Sequence, residues 1–219
     1  MEVFGYELLF WDGNINSADI ADGTKATSQL IANVFLEIGI ENIVNNKYAF
    51  INLTRDYIVG DVTIPISNEK IVLEVLEDIH ADEDCVAGLS KLKKQGFTIA
   101  LDDFILEETN SAFVPLADII KIDILAMTTD ELRVLAGKLK HGKSKLLAEK
   151  VETEEEYQLC KELGFDYFQG CFFSKPKIIS YNVGISYKLL KILNSPFYAT
   201  QRLGQELDVY PGHHSNPYF

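Results

Sequence analysis

The chain has 219 residues, 47% hydrophobic and 24% charged, enough to bury a substantial core as one domain, or one domain with part of another. Its net charge of −13 excludes DNA and other broad nucleic-acid binding, which needs an electropositive surface, but leaves room for one small anionic ligand held through a local cation. No apolar run approaches the roughly 20 residues that span a bilayer, Met1 to Phe4 lead straight into polar sequence, and Cys85, Cys160 and Cys171 lack CxxC spacing, which predicts a reduced, cytoplasmic protein without a membrane partner.

In chain order, residues 24–39 place Ala26, Leu30, Ile31, Val34, Phe35 and Ile38 on one helical face and end at Gly39. Residues 48–53 (YAFINL) and 71–76 (IVLEVL) read as strands, and residues 84–95 as a helix stopped by Gly96. A strand over 97–101 (FTIAL) runs into Asp102 and Asp103, and another over 119–122 (IIKI) carries Lys121. Residues 129–140 predict a helix with Leu132, Leu135, Ala136 and Leu139 on one face and basic residues toward its end. A strand over 145–148 (KLLA), a helix over 154–163 closed by Gly164 and a strand over 165–168 (FDYF) follow.

Strand and helix alternate at a spacing that predicts parallel βαβ units, in a doubly wound sheet or a (β/α) barrel. A doubly wound sheet concentrates its site at one crevice, usually behind a glycine-rich turn, and neither G-x-G-x-x-G nor G-x-x-x-x-G-K-[ST] occurs. Polar residues instead mark the ends of many strands: Asn52, Glu74 and Glu77, Asp102 and Asp103, Lys121, Glu149 and Glu152, and Gln169. Chemistry shared among the C-terminal ends of several strands favours the barrel.

Taken singly, these residues have plainer readings. An Asp-Asp pair after a strand is usually a turn or a helix cap, a lone lysine is usually solvated or salt-bridged, and Glu154 to Glu156 suit the acidic first turn of a helix. Phe172, Phe173 and Trp11 suit core packing, and His213 and His214 sit in an irregular tail. Joint placement changes the reading. Glu74, Asp102, Asp103 and Glu149 in one bowl, with Asn52 beside them, would repel unless a cation compensated. An all-oxygen set suits Mg²⁺ or Mn²⁺. Two such ions about 3.5–4 Å apart hold a phosphodiester and activate water, with Lys121 orienting that water or steadying developing charge.

Six segments in order carry a resemblance to the EAL domain of bacterial cyclic di-GMP signalling, over residues 5–176. They are Glu7-Leu8-Leu9, LEVLE (73–77), ALDDF (100–104), KID (121–123), AEKVET (148–153) and QGCFFSKP (169–176). The resemblance implies a modified TIM-type (β/α) barrel using two Mg²⁺ or Mn²⁺ ions to linearise cyclic di-GMP. It implies one ion held by Glu7, Asn52, Glu74 and Asp102, and a second by Asp102, Asp103 and Glu149. It assigns Lys121, Glu149 and Glu152 to catalysis, and Gln169 and Asn52 to substrate contact.

The chain departs from the family pattern at four places. Residues 105–110 (ILEETN) replace a glycine and small residues after Asp-Asp-Phe, and Trp11 replaces an arginine. Lys150 replaces a glycine inside A-E-x-V-E, and Cys171 replaces an aromatic after Gln-Gly. The family usually has a further strand with a Gln-Pro element where only Met1 to Phe4 stand. These features resemble a subgroup in which a divergent EAL domain precedes an HD-related output domain (HDOD). Residues 186–200 (SYKLLKILNSPFYAT) resemble the opening helix of that domain. The expected organisation is a barrel over 1–180 and a helical segment over 181–219. The expected function is a regulatory or cyclic di-GMP-binding module with impaired catalysis, acting on a protein partner or output domain, the alternative being a Mg²⁺- or Mn²⁺-dependent phosphodiesterase yielding linear pGpG. A homodimer through a helical face beside the altered loop is a further implication of the resemblance.

Overall fold

The computed structural model describes residues 1–11, 40–60, 64, 67–107, 110–181 and 185–194. The helix expected over 24–39 lies outside the described residues. β1 (Glu2–Trp11) is followed by α1 (Ile40–Val44), β2 (Tyr48–Leu53), α2 (Arg55–Val59), β3 (Ile71–Val75), α3 (Glu83–Lys94) and β4 (Thr98–Leu101). A 3₁₀ helix (Ser111–Leu116) leads into β5 (Ile119–Asp123), α4 (Thr129–Leu139), β6 (Lys145–Glu149), α5 (Glu154–Leu163) and β7 (Tyr167–Phe168). β8 (Lys177–Tyr181) and β9 (Ile185–Asn194) end the described chain.

β1 to β7 pair in sequence order, all parallel, and β9 closes the ring by pairing antiparallel with β7 on one edge and β1 on the other. Eight strands make a closed barrel, and β8 attaches to the first half of β9. The α/β barrel expectation holds, and the helix expected from residue 186 does not: Ile185–Asn194 is strand. The edge of β1 away from β2 would otherwise carry a row of unpaired backbone groups, and β9 satisfies it from Glu2↔Asn194 to Trp11↔Ser186. Long-range pairing of this extent outweighs a local helical spacing.

The helices form where the sequence caps them. The Asp82 side chain accepts from the Cys85 N–H ahead of α3, and capping boxes, Thr128 with Glu131 and Thr153 with Glu156, start α4 and α5. Gly164, at φ +90°, ends α5 in the left-handed conformation. The outward strand faces (Leu53, Leu73, Ile99, Ile120 and Leu146) join Leu89, Leu132, Leu135 and Cys160 of the helices in one buried core. Each large apolar side chain buried there contributes about 1.5–3 kcal/mol before entropy is counted.

Candidate functional site

Side chains alternate along a strand, so every second residue of a barrel strand faces inward. Phe50, Val72, Ala100, Ile119 and Leu147 form a separate buried cluster with Ile192, an apolar floor inside the barrel. Two residues further along the same five chains stand Asn52, Glu74, Asp102, Lys121 and Glu149. The strand ends therefore lift a polar layer directly above the apolar one. Register aligns the layer: Asn52 lies opposite Glu74, and Asp123 opposite Glu149.

Lys121 is the centre of that layer and is fully buried. Its Nζ lies 2.5 Å from Asp102 Oδ1, 2.6 Å from Glu74 Oε1, 3.1 Å from Glu149 Oε1 and 3.5 Å from Glu7 Oε2. Burial alone would push the ammonium toward neutrality, but Glu7, Glu74, Glu149 and Asp102 together hold its pKa well above the ordinary lysine value. One positive charge cannot satisfy four carboxylates. Burial drives Glu74 well above the carboxylate range against the pull of Lys121, with Glu7 and Asp102 adding repulsion. Glu149 is pushed up to about 8, by burial first and then by its acidic neighbours, again against Lys121. Glu74 Oε2 and Glu149 Oε2 are buried without a hydrogen-bond donor.

Asp102 and Asp103 are consecutive, and in a regular strand they would face opposite ways. Asp103 instead has φ +39°, a region aspartate tolerates better than most residues. The turn is pinned by Asp102 N–H donating to Val75 O (2.9 Å) and Phe104 N–H donating to Lys121 O (2.9 Å). As a result Asp102, Asp103 and Glu149 each offer an oxygen within 4.8 Å of the others. Beside Asp103 and Asp123 a cleft of about 340 Å³ opens, walled also by Glu77, Phe104 and Asn110. The donor set fits a hard divalent cation on three observations: it is all oxygen, it carries more negative than positive charge, and it leaves buried carboxylate oxygens without donors.

Of the residues singled out by sequence, Glu7, Glu74, Asp102, Lys121 and Glu149 meet in one ring, and Asp103 joins through Asp102 and Glu149. Asn52 is half-buried at the end of β2, next to Glu74. Gln169 is buried and donates through Nε2 to Glu7 Oε2 at 2.8 Å, so it orients a carboxylate of the ring. Its backbone is held too, by Val151 N–H donating to Gln169 O (3.0 Å). The next residue must be glycine because a Cβ on Gly170 would sit 2.0 Å from Val151 O. Glu152 is exposed, and among the described residues no ion pair joins it to the ring. Ile105 and Leu106, the bulky residues of the altered loop, are 52% and 37% exposed, and Ile105 forms part of the wall of the cleft beside Asp103.

Sequence reasoning missed Asp123 and the placement of Lys150. Asp123 was findable, since it follows Lys121 by two residues on the inward face of β5. Lys150 has φ +58°, the left-handed region that a glycine occupies without cost. Its Nζ donates to Asp123 Oδ2 and lies 3.7 Å from Asp103 Oδ2.

Among the described residues no helix is long and apolar enough to cross a membrane. Residues 28–176 match the EAL domain family. The chain is 38% identical over 178 residues to the cyclic di-GMP phosphodiesterase CdgJ of Vibrio cholerae, covering 80% of this chain and 41% of that protein. It is 37% identical over 184 residues to YuxH of Bacillus subtilis, covering 82% of this chain and 45% of the other. The chain thus spans less than half the length of these relatives. Among solved structures it is similar to Bacillus subtilis YkuI, an EAL-domain protein in complex with substrate c-di-GMP and calcium (TM-score 0.60, 22% identity, 82% of this chain and 52% of that one). It is also similar to the c-di-GMP-bound form of a standalone EAL protein from Vibrio cholerae O395 (TM-score 0.58, 21% identity, 80% of this chain and 85% of that one). At these identities the structural likeness carries the fold, while the family match covers most of the barrel's sequence: the chain belongs to the EAL domain family.

Proposed function

We propose that this chain binds cyclic di-GMP through divalent ions and hydrolyses one of its phosphodiesters to the linear dinucleotide. The observation that carries the reading is the ring of Glu7, Glu74, Asp102 and Glu149 about a buried Lys121, with Asp103 completing a second oxygen cluster. Glu7, Asn52, Glu74 and Asp102 would hold one ion, and Asp102, Asp103 and Glu149 the other. Bound there, Mg²⁺ or Mn²⁺ supplies Lewis acidity that polarises the phosphodiester and lowers the pKa of water. Lys121, fully buried and favoured in its charged form by the carboxylates around it, directs the water and steadies charge gathering on the phosphoryl oxygens. Gln169 keeps Glu7 in place through its 2.8 Å hydrogen bond. Water adds at phosphorus, the P–O3′ bond breaks, and the proton passes to the leaving oxygen. The name of the 38% identical relative, a cyclic di-GMP phosphodiesterase, supports the same reaction.

A second reading, binding without turnover and a signal passed to a partner domain, is favoured by one observation: Lys150 occupies the neighbourhood of Asp103. Incubating the chain with cyclic di-GMP and Mn²⁺, Mg²⁺ or EDTA, and separating the products by ion-exchange chromatography, decides between them. Linear product with Mn²⁺ or Mg²⁺, absent with EDTA and in Asp102→Asn, supports hydrolysis. Metal-dependent binding without product supports the receptor. Neither binding nor product overturns both.

A further inference from the structure

We propose that Lys150 is a resident cation that competes with a divalent ion for Asp103, so that this chain fills its two ion positions unequally. The inference rests on the two-ion reading and deepens it, by naming the residue that sets the occupancy of the second position.

Three observations place Lys150 in this part. Its ammonium is anchored on Asp123 Oδ2 and stands 3.7 Å from Asp103 Oδ2. Asp103 belongs to the Asp102–Asp103–Glu149 oxygen cluster and has no ion pair with Lys121, so the charge that Lys150 meets is that of the second position. Its backbone is held at φ +58° by the chain on either side: Glu149 ends β6, and Val151 is bonded to the Gln169–Phe172 segment. A side chain leaving that backbone is directed to Asp123 and Asp103. The first position differs in one respect: Glu7 and Glu74 make no ion pair with Lys150 among the described residues. Lys121 is common to both positions, pairing with Glu7 and Glu74 of the first, Glu149 of the second and the shared Asp102.

The side chain of Lys150 is 51% exposed, so competition is reversible: the ammonium can turn to solvent when a dication enters. While it stays, it offsets part of the carboxylate charge that an incoming ion needs and repels that ion directly. At a few ångströms, and with the screening of a half-exposed site, one elementary charge acting on a dication amounts to about tenfold or more in affinity. An ordinary surface salt bridge would leave ion binding untouched, which makes the two roles separable.

Mn²⁺ titration of the whole chain, followed by electron paramagnetic resonance of the free ion and by calorimetry, tests the proposal in wild type, Lys150→Gln, Lys150→Gly and Lys150→Arg. The wild type is expected to take one ion tightly and a second about tenfold or more weakly. Lys150→Gln and Lys150→Gly should both tighten the second ion about tenfold, leave the first within about twofold, and lose the difference from wild type in strong KCl. Lys150→Arg should keep the wild-type gap. If only Lys150→Gly tightens the second ion, backbone relief and not charge is responsible, and the proposal fails. If the first ion binds but the second is unchanged or weaker in both uncharged variants, with circular dichroism showing folded protein, the proposal fails and the metal reading stands. If no Mn²⁺ binds to any of the four, the metal reading itself fails and takes the inference with it.

Discussion

Replacing Lys121 by methionine removes the one ammonium inside the ring while keeping its volume. In the wild type that group contacts Asp102, Glu74 and Glu149 at 2.5, 2.6 and 3.1 Å and is fully buried. Breaking a buried ion pair by removing one partner costs about 3–5 kcal/mol, because the other charge is left uncompensated. Here the survivors have an outlet, since burial already raises Glu74 and lifts Glu149 to about 8, and protonation can quench both. The loss in metal-free buffer should therefore be smaller at pH 5, where protons replace the ammonium, and approach the full 3–5 kcal/mol at pH 8.5. For a chain of this size each kcal/mol moves the melting temperature by about 2–4 °C, so the shift at high pH should be about 10 °C. Differential scanning calorimetry of the variant and wild type in EDTA at both pH values gives the comparison. Equal losses at the two pH values, or a variant as stable as wild type at pH 8.5, would refute the claim that the ammonium holds the ring's charge together.

Three further outcomes follow from the same geometry. In EDTA the wild type should lose stability as pH rises from about 5 to 8: a carboxyl with a raised folded pKa binds its proton more tightly in the native state, so Glu149 and Glu74 contribute most below 4.5 and lose that contribution as pH passes the folded value, at roughly 1.4 kcal/mol per pH unit and group. Urea midpoints across this range that stay flat or rise would contradict it. Gly170→Ala should cost more than about 2 kcal/mol and displace Gln169, because its Cβ would meet Val151 O at 2.0 Å; an unchanged urea midpoint would show that the segment moves freely. Gln169→Leu leaves Glu7 Oε2 without its donor and should weaken the first Mn²⁺ severalfold while leaving the fold intact by circular dichroism, whereas unaltered affinity would deny Gln169 its orienting part.

Much of the barrel is written locally. β2 spans residues 48–53 and α5 residues 154–163, as their apolar spacing and caps predict, because each carries its own start, its own stop and one buried face. β9 was not legible for the opposite reason. SYKLLKILN has helical spacing, and only the open edge of β1, some 180 residues earlier in the chain, makes it a strand. The ring was legible through a coarser signal, polar residues at successive strand ends, which needs only the barrel to bring them together. What escaped depends on backbone signs that no side-chain pattern encodes. The positive φ of Asp103 turns two adjacent carboxylates toward one cluster, and the positive φ of Lys150 brings a solvent-facing lysine back over Asp103.

The mouth of this barrel is best understood through the ways its charge can be settled. Glu7, Glu74, Asp102, Asp103, Asp123 and Glu149 face only Lys121 and Lys150 among the ion pairs described there. Protons or divalent cations must make up the difference, and they are alternatives, since an ion binds the deprotonated oxygen. Raised pKa values at Glu74 and Glu149 mean that protons serve when no ion is present. Ion binding is then an exchange, and its affinity rises with pH as the protons become easier to displace. Lys121, deep and pinned among four carboxylates, is a fixed part of this arrangement. Lys150, half-exposed on a strained backbone, is the adjustable part. A glycine there would leave Asp103 free of the ammonium; on the proposal above, the lysine would make the second position conditional on ion concentration and ionic strength. One departure from the family pattern thus falls on a residue well placed, on the two-ion proposal, to decide how readily the site becomes complete.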